Sequence, residues 1–180
     1  MIEARRIIEL CHDAAHNVYA AHPSRLYAAS VALLLAGTAA TESNLKYRRQ
    51  LGYTISDPGG AWGLWQTESL PMGDNVRYLI GHPDVLARAA AFLHQEQGDF
   101  RAILSVGNFG LCKLCAGWDR FAVIMARVHY LRQPGAIPCN DADRALYWKK
   151  NYNTYLGKGT PAKYMSDFQR LIAPALRAGV

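Results

Sequence analysis

The sequence predicts an all-α domain, because apolar residues recur at helical spacing along most of its 180 residues and no convincing strand alternation is present. Hydrophobic residues make up 51% of the chain, enough for one domain of this length to bury well over half of its unfolded surface. Only residues 47–72 break the helical pattern over a long stretch. We therefore predict a single compact helical domain over residues 1–180, with one irregular lobe that could contain a small hairpin.

The first two predicted helices cover residues 2–20 and the segment from Ser24 to Glu42. Apolar residues at helical spacing define the first helix: Ile7, Ile8, Cys11, Ala14, Ala15 and Val18. Ser24 is a natural N-cap for the second helix. Residues 26–41 are uncharged and rich in alanine, which favours a buried core helix, and the run is too short to predict a membrane span.

The other predicted helices follow the irregular lobe, in which residues 57–60, Asp-Pro-Gly-Gly, indicate a turn. Helical spacing covers residues 75–80 and 83–97, the latter with proline and aspartate in its first turn. Further helices are predicted to begin at Asn108, Asp119, Asp141 and Thr160. A Gln-Pro-Gly sequence at residues 133–135 ends the helix that begins at Asp119.

The chain is basic, with a formal net charge of +6 and a pI near 9.3. This balance favours a polyanionic partner: nucleic acid, an anionic membrane surface or the carboxylate-bearing bacterial cell wall. The first six residues are charged and mixed in sign, so no signal peptide is predicted and we expect synthesis in the cytoplasm. Composition does not choose among the three partners.

Four scattered cysteines favour a reduced compartment over a disulfide scaffold. Cys112 and Cys115 form a single CxxC pair without a second one, so we interpret them as small apolar residues on one helix face rather than as a zinc or redox site. Among the histidines only His12 and His16 have the short spacing typical of metal ligands, and no third ligand lies near them in the sequence. No metal and no cofactor are predicted.

Glu42 is the main candidate for chemistry. It emerges from the apolar stretch, is followed by Ser43, and is separated by a loop rich in turn residues from the glycine and tryptophan sequence at residues 59–66. Burial raises the pKa of a carboxyl group, and cleavage of a glycosidic bond needs such a protonated acid near neutral pH. We predict that Glu42 is a general acid. Most glycosidases add a second carboxylate, for which the candidates are Glu68, Asp57 and Asp74.

The glycine-rich segment has two open interpretations. Gly59, Gly60 and Gly63 allow the backbone to approach a polysaccharide closely and to present its amides. Trp62 and Trp65 either stack on sugar rings or anchor the lobe to the core.

Two segments carry a family resemblance. Residues 38–43, Thr-Ala-Ala-Thr-Glu-Ser, and residues 60–66, Gly-Ala-Trp-Gly-Leu-Trp-Gln, resemble the Glu-Ser and Gly-Leu-Met-Gln signatures of lysozyme-like lytic transglycosylases of the soluble and goose-lysozyme type. Residues 147–160 resemble the ends of phage-encoded proteins of this kind. At the third signature, usually Ala-Tyr-Asn-Ala-Gly, residues 126–130 read Ala-Arg-Val-His-Tyr, which leaves Tyr130 as the matching tyrosine.

This resemblance implies a lysozyme-like fold and cleavage of peptidoglycan. In the family one glutamate acts first as acid and then as base, while the substrate's N-acetyl group assists and its 6-hydroxyl closes a 1,6-anhydro ring. Glu42 would take that role, Gln66 would hold the sugar and Glu68 would support the site. The remaining substrate-binding residues that the resemblance and the loop chemistry suggest are Ser43, Trp62, Gly63, Leu64, Trp65 and Tyr130.

Two other classes stay open. A phage structural or assembly protein can keep a lysozyme-like scaffold with little activity. Basic pairs at residues 48–49 and 149–150, the second beside aromatic residues, could also contact nucleic acid, although no nucleic-acid-binding motif supports it. Within the leading hypothesis the partners are bacterial peptidoglycan and other virion proteins, and the protein is virion-associated or delivered to the host wall. The sequence leaves open whether the product carries a 1,6-anhydro end or an end formed by hydrolysis.

Overall fold

The computed structural model describes residues 2–19, 21, 24–54, 56–57, 59–155 and 157–179, and over these residues the all-α prediction is confirmed. The helices are α1 (Ile2–Asn17), α2 (Arg25–Ser43), α3 (Ser69–Gly81), α4 (Pro83–Phe92), α5 (Gln97–Leu104), α6 (Asn108–Gly117), α7 (Asp119–Leu131), α8 (Asp141–Trp148), α9 (Pro161–Asp167) and α10 (Ala173–Arg177). Two π-helical turns, Lys149–Asn153 and Phe168–Ile172, continue α8 and α9. The described residues contain no strand.

Helix α2 lies at the centre of the molecule and contacts α1, α7, α8 and α9. Its hydroxyl side chains are satisfied within the helix, since Thr38, Thr41 and Ser43 each donate at 2.8 Å to the carbonyl four residues earlier. The helix has 19 residues and, by length and composition alone, could cross a membrane. However, 72% of its apolar window is buried inside the protein, as the predicted core helix requires.

Both ends of α2 follow from local chemistry. The Ser24 Oγ accepts a hydrogen bond of 3.2 Å from the backbone N–H of Tyr27, which confirms the predicted N-cap. At the other end Asn44 and Leu45 have φ angles of 57° and 53°, a left-handed conformation that stops the helix. Glu42 therefore lies in the last turn of a buried helix, at the point where the chain leaves the core.

Two helix boundaries differ from the prediction. The segment 83–97 is divided between α4 and the start of α5, because His94 has a left-handed φ of 57° that ends the helical path. The helix predicted at 75–80 is longer and begins at Ser69. The predicted end of the first helix at Ala20 lies outside the described residues, within which α1 stops at Asn17.

The irregular lobe occupies residues 44–68 and is held by two isolated bridges, Arg49 to Trp62 and Trp62 to Thr67, without a strand among its described residues. The Arg49 guanidinium lies 3.8 Å from the centre of a Trp62 ring and also donates to backbone carbonyls of the lobe. Of the predicted turn at 57–60, Pro58 lies outside the described residues. Gly63 has a φ of 73°, and a Cβ there would lie 2.5 Å from the Cys115 carbonyl oxygen, so this position needs glycine.

Candidate active site

Glu42 lies where two clefts meet. The larger one, about 470 Å³, has a wall that includes Gln66, Glu68, Asp74, His129 and Tyr152, and we call it the acidic cleft. The smaller one, about 250 Å³, has a wall that includes Thr41, Trp148, Lys158 and Lys163, and we call it the basic cleft. Glu42 and Asn153 line both clefts. Both clefts therefore border the Glu42 side chain.

The pKa of the Glu42 carboxyl group lies near neutral pH. Burial raises its pKa from 4.5 to about 7, and the negative charge of Glu68 acts in the same direction. A 3.1 Å hydrogen bond from the Trp148 Nε1–H to Glu42 Oε1 opposes the rise, as do the charge of Lys163 and the side chain of Asn153. Because desolvation outweighs these contacts, the group is protonated below about pH 7 and can give up its proton there.

Asn153 is positioned by Lys149. The Lys149 ammonium donates to Asn153 Oδ1 at 2.9 Å and to the carbonyl oxygens of Thr154 and Gly157 at 2.7 Å each. Since Oδ1 is occupied, the Nδ2–H2 group of Asn153 is the part that remains to donate toward Glu42. Lys149 thus fixes the loop that forms the boundary between the two clefts.

Neutral aromatic groups form another part of the acidic cleft. The Tyr152 hydroxyl donates to the Trp65 carbonyl at 2.7 Å, and the His129 ring lies 4.7 Å from the Tyr152 ring. His129 Nε2 is 2.7 Å from the Asn151 carbonyl, an acceptor, so Nε2 carries the hydrogen. Burial lowers the pKa of His129, which keeps the imidazole neutral. The cleft wall beside Glu42 therefore offers a ring face and hydrogen-bonding groups without added positive charge.

Gln66, predicted to hold the sugar, and Glu68, predicted to support the site, both line the acidic cleft. Gln66 has a φ of 48°, and its Nε2 donates to the Gly63 and Tyr47 carbonyls at 2.8 and 3.3 Å, so its Oε1 remains available to accept. Glu68 is exposed at the start of α3, and its carboxylate makes no hydrogen bond or ion pair with any residue that the structure describes. Glu68 is thus a free carboxylate in the same cleft as Glu42.

The other candidates for a second carboxylate are engaged elsewhere. Asp74 lines the acidic cleft, but it is ion-paired with Arg132 at 2.7 Å and with Arg77. Asp57 accepts hydrogen bonds from Thr54 within the lobe and lines neither cleft. Glu68 is therefore the best placed partner for Glu42 among the three.

Six residues predicted to bind substrate are buried and line neither cleft: Ser43, Trp62, Gly63, Leu64, Trp65 and Tyr130. Trp65 donates its Nε1–H to the Leu35 carbonyl at 2.9 Å, and Tyr130 shares a 2.7 Å hydrogen bond with Thr38. Of the two interpretations of the tryptophans, this burial matches core anchoring. The tyrosine that lines the acidic cleft is instead Tyr152.

Sequence reasoning did not assign site roles to the residues that surround Glu42 from the C-terminal part of the chain, namely Trp148, Tyr152, Asn153, Lys158 and Lys163. The sequence feature that could have indicated these residues is the interleaving of aromatic residues and lysines at 147–155. That pattern does not show which residues face the clefts, because the chain turns there through a π-helix, with a periodicity that differs from that of an α-helix. The π turn brings Tyr152 and Asn153 to the Glu42 carboxyl group.

The cysteine pair belongs to the core. Cys112 and Cys115 are buried on one face of α6, and burial raises the pKa of the Cys112 thiol to about 12. Within the described ranges no group of three or more histidine, cysteine, aspartate or glutamate side chains is arranged to hold a metal ion. The interpretation of the pair as small apolar residues agrees with this placement.

The fold and the clefts together define an all-α protein with a protonatable, partly buried glutamate at the junction of two grooves. Comparison with protein-family models, with curated proteins and with solved structures gives no match. The chemistry of the clefts and the sequence signatures are therefore the indications of function.

Proposed function

We propose that this protein is a peptidoglycan-cleaving glycosidase that breaks the β-1,4 bond between N-acetylmuramic acid (MurNAc) and N-acetylglucosamine (GlcNAc). The observation that carries the proposal is the Glu42 carboxyl group, whose pKa is raised to about 7 at the junction of two clefts. A glycosidic oxygen is a poor leaving group until it is protonated, and a buried carboxyl group supplies that proton near neutral pH. The two grooves provide room for sugars on both sides of the broken bond.

The first step follows from how Glu42 is held. Trp148 donates to Oε1, which leaves Oε2 to carry the acidic proton toward the glycosidic oxygen. As the bond from the MurNAc C1 to that oxygen breaks, the proton moves to the departing GlcNAc and Glu42 becomes a carboxylate. Trp148, Asn153 and the nearby Lys163 charge then stabilise the carboxylate. The same three groups thus hold the acid in place and accept its charge after transfer.

The second step follows the single-glutamate pattern of lytic transglycosylases, which the sequence signatures support. The substrate's acetamido oxygen assists departure at C1, and its 6-hydroxyl then attacks C1 to close the 1,6-anhydro ring. The Glu42 carboxylate takes the 6-hydroxyl proton and returns to its starting form. Gln66, with a free Oε1 in the acidic cleft, is suited to accept a hydrogen bond from the sugar that is being opened.

A hydrolytic outcome is the second candidate, and Glu68 is the observation that favours it. Its unpaired carboxylate shares the acidic cleft with Glu42 and could take a proton from an attacking water. In that mechanism the product would carry a reducing end instead of an anhydro end. In either case we propose that the enzyme belongs to a phage or prophage and acts on the host wall from the virion or during release of progeny.

Digestion of purified sacculi followed by mass spectrometry of released muropeptides tests the proposal. Wild type is expected to release them, and Glu42→Gln to abolish release while its circular dichroism stays unchanged. Glu96→Gln is the matched control, because Glu96 is exposed, caps no helix through its side chain and lines neither cleft.

The products separate the two candidates. Products with anhydro ends, together with only a small effect of Glu68→Gln on their release, favour the transglycosylase. Products with reducing ends, whose release is lost in Glu68→Gln, favour the hydrolase. Full activity of Glu42→Gln, or no release by correctly folded wild type, contradicts the proposal. The second result would instead favour a structural role on a lysozyme-like scaffold.

A further inference from the structure

The two clefts that meet at Glu42 differ in charge. In the wall of the acidic cleft the Glu68 carboxylate is unpaired and Asp74 is paired with Arg132 and Arg77, and none of the described residues lining the cleft is lysine or arginine. The basic cleft has Lys158 and Lys163 in its wall, and Glu42 is the single acidic residue among the described residues that line it. Because Glu42 is protonated below about pH 7, the basic cleft carries a positive charge when the acid is ready to react.

Lys163 is fixed and remains only partly neutralised. Its ammonium donates to the Thr41 carbonyl at 2.7 Å and pairs with Asp167 at 2.6 Å. Asp167 also pairs with Arg170 at 2.6 Å, so one carboxylate is shared between two cations. The cluster therefore keeps a net positive charge, and Lys163 has a third N–H that these contacts do not use.

Lys158 is the free cation of the basic cleft. Its side chain is exposed and forms no hydrogen bond or ion pair with the described part of the chain. The backbone on both sides of it is held in place, since Lys149 binds the Gly157 carbonyl and Gly159 packs closely against Trp148 and Asn153. A free ammonium on a fixed backbone, beside a proton donor, is suited to bind an anionic group of the substrate.

We propose that the basic cleft binds the carboxylate that a MurNAc of the bound strand carries through its lactyl substituent, either free or at the end of an attached peptide. The inference rests on the proposed function, and it gives the enzyme a means of selecting one of the two types of β-1,4 bond in the strand. In a strand of alternating sugars only MurNAc bears this group, and GlcNAc is neutral. A slip by one sugar would put a neutral hydroxyl beside Lys158 and the other type of β-1,4 bond beside Glu42. The carboxylate would thus set the register that places the MurNAc–GlcNAc bond at the acid.

Binding measurements separate this idea from catalysis. The whole Glu42→Gln chain, which is expected not to cleave the ligands, is titrated by calorimetry with three ligands of equal length. These are a neutral chitin oligosaccharide, an alternating MurNAc–GlcNAc oligosaccharide with free lactyl carboxylates, and the same oligosaccharide with peptide stems. Each ligand is titrated into three proteins: Glu42→Gln alone, Glu42→Gln combined with Lys158→Ala, and Glu42→Gln combined with Lys158→Arg. Lys150→Ala is the matched control, because Lys150 is an exposed lysine of the neighbouring π turn and lines neither cleft.

Lys158→Ala is expected to weaken binding of at least one carboxylate-bearing ligand by about fivefold, the scale of a partly exposed ion pair. Lys158→Arg should restore it, and the chitin ligand and the control variant should be unaffected. An effect confined to the stem-free ligand identifies the lactyl carboxylate, and one confined to the stem-bearing ligand identifies the peptide.

Equal loss for neutral and charged ligands, or no loss for any, overturns the inference. If cleavage still depends on Glu42, the proposed function survives that result. If none of the three ligands binds and wild type releases no muropeptide, the proposed function fails as well.

Discussion

Replacing Glu42 by glutamine should change the pH dependence of stability as well as activity. The folded protein holds the Glu42 proton more tightly than the unfolded chain, because the pKa rises from 4.5 to about 7 on folding. Between these two values the unfolded chain releases the proton and the folded protein keeps it. The contribution of Glu42 to stability is therefore fully present below about pH 4.5 and is lost as pH rises to about 7.

The size of the effect follows from the pKa values. Each pKa unit corresponds to about 1.4 kcal/mol, so the rise on folding corresponds to about 3 kcal/mol. The Glu42→Gln variant has no such proton, and its Oε1 can still accept the Trp148 hydrogen bond. We expect the free energy of unfolding of wild type, taken relative to the variant, to decrease by about 3 kcal/mol between pH 4 and pH 8.

Urea unfolding followed by tryptophan fluorescence at intervals between pH 4 and pH 8 measures this difference. Other titrating groups are common to both proteins and largely cancel in the comparison. Glu96→Gln is the control for the loss of a carboxylate, because Glu96 is exposed and lines neither cleft. A wild-type minus Glu42→Gln difference that stays constant within about 0.5 kcal/mol over the whole range would refute the raised pKa and with it the role of Glu42 as the acid.

Three further changes test the surroundings of the acid. Trp148→Phe removes the N–H donated to Glu42 and should raise the pKa of Glu42, moving the alkaline limb of the kcat/KM profile up by about one pH unit. Lys149→Met frees Asn153 and should lower kcat/KM by about 10- to 100-fold, with little change in unfolding midpoint. Gly63→Ala, at a φ of 73° and against a backbone carbonyl of α6, should lower the free energy of unfolding by about 1–3 kcal/mol.

Each of these changes has a result that would count against the reasoning. An alkaline limb that does not move in Trp148→Phe would mean that the hydrogen bond does not tune Glu42. Normal kcat/KM in Lys149→Met would show that the loop holds its shape without the ammonium. Unchanged urea midpoints in Gly63→Ala would mean that the lobe can shift away from α6.

Local sequence signals were sufficient where structure depends on near neighbours. The cap at Ser24 involves the N–H three residues later, and the cap at Thr160 likewise accepts from Lys163 at 3.1 Å. The position of Glu42 at the end of a buried helix follows from hydropathy along a single segment. In each case the determining groups lie within a few turns of one helix.

Contacts between distant parts of the chain were not predictable in the same way. Trp65 is 30 residues from its carbonyl acceptor on Leu35, and Trp148 is 106 residues from Glu42. A tryptophan that can either face a sugar or anchor a lobe has the same local sequence in both cases. The π turn after α8 and the left-handed residue His94 also depend on how the helices pack. The spacing of hydrophobic residues along the sequence does not determine that packing.

The π turn at residues 149–153 makes the geometry of the site depend on chain length at that point. An α-helix advances by about 100° per residue, so deleting a single residue there and restoring an α-helix would turn Tyr152 and Asn153 to a different side of the helix axis. Every residue downstream would shift with them, including Lys163, which holds α9 to the Thr41 carbonyl. A one-residue length change in this turn is therefore a more severe alteration of the acid's surroundings than most single substitutions.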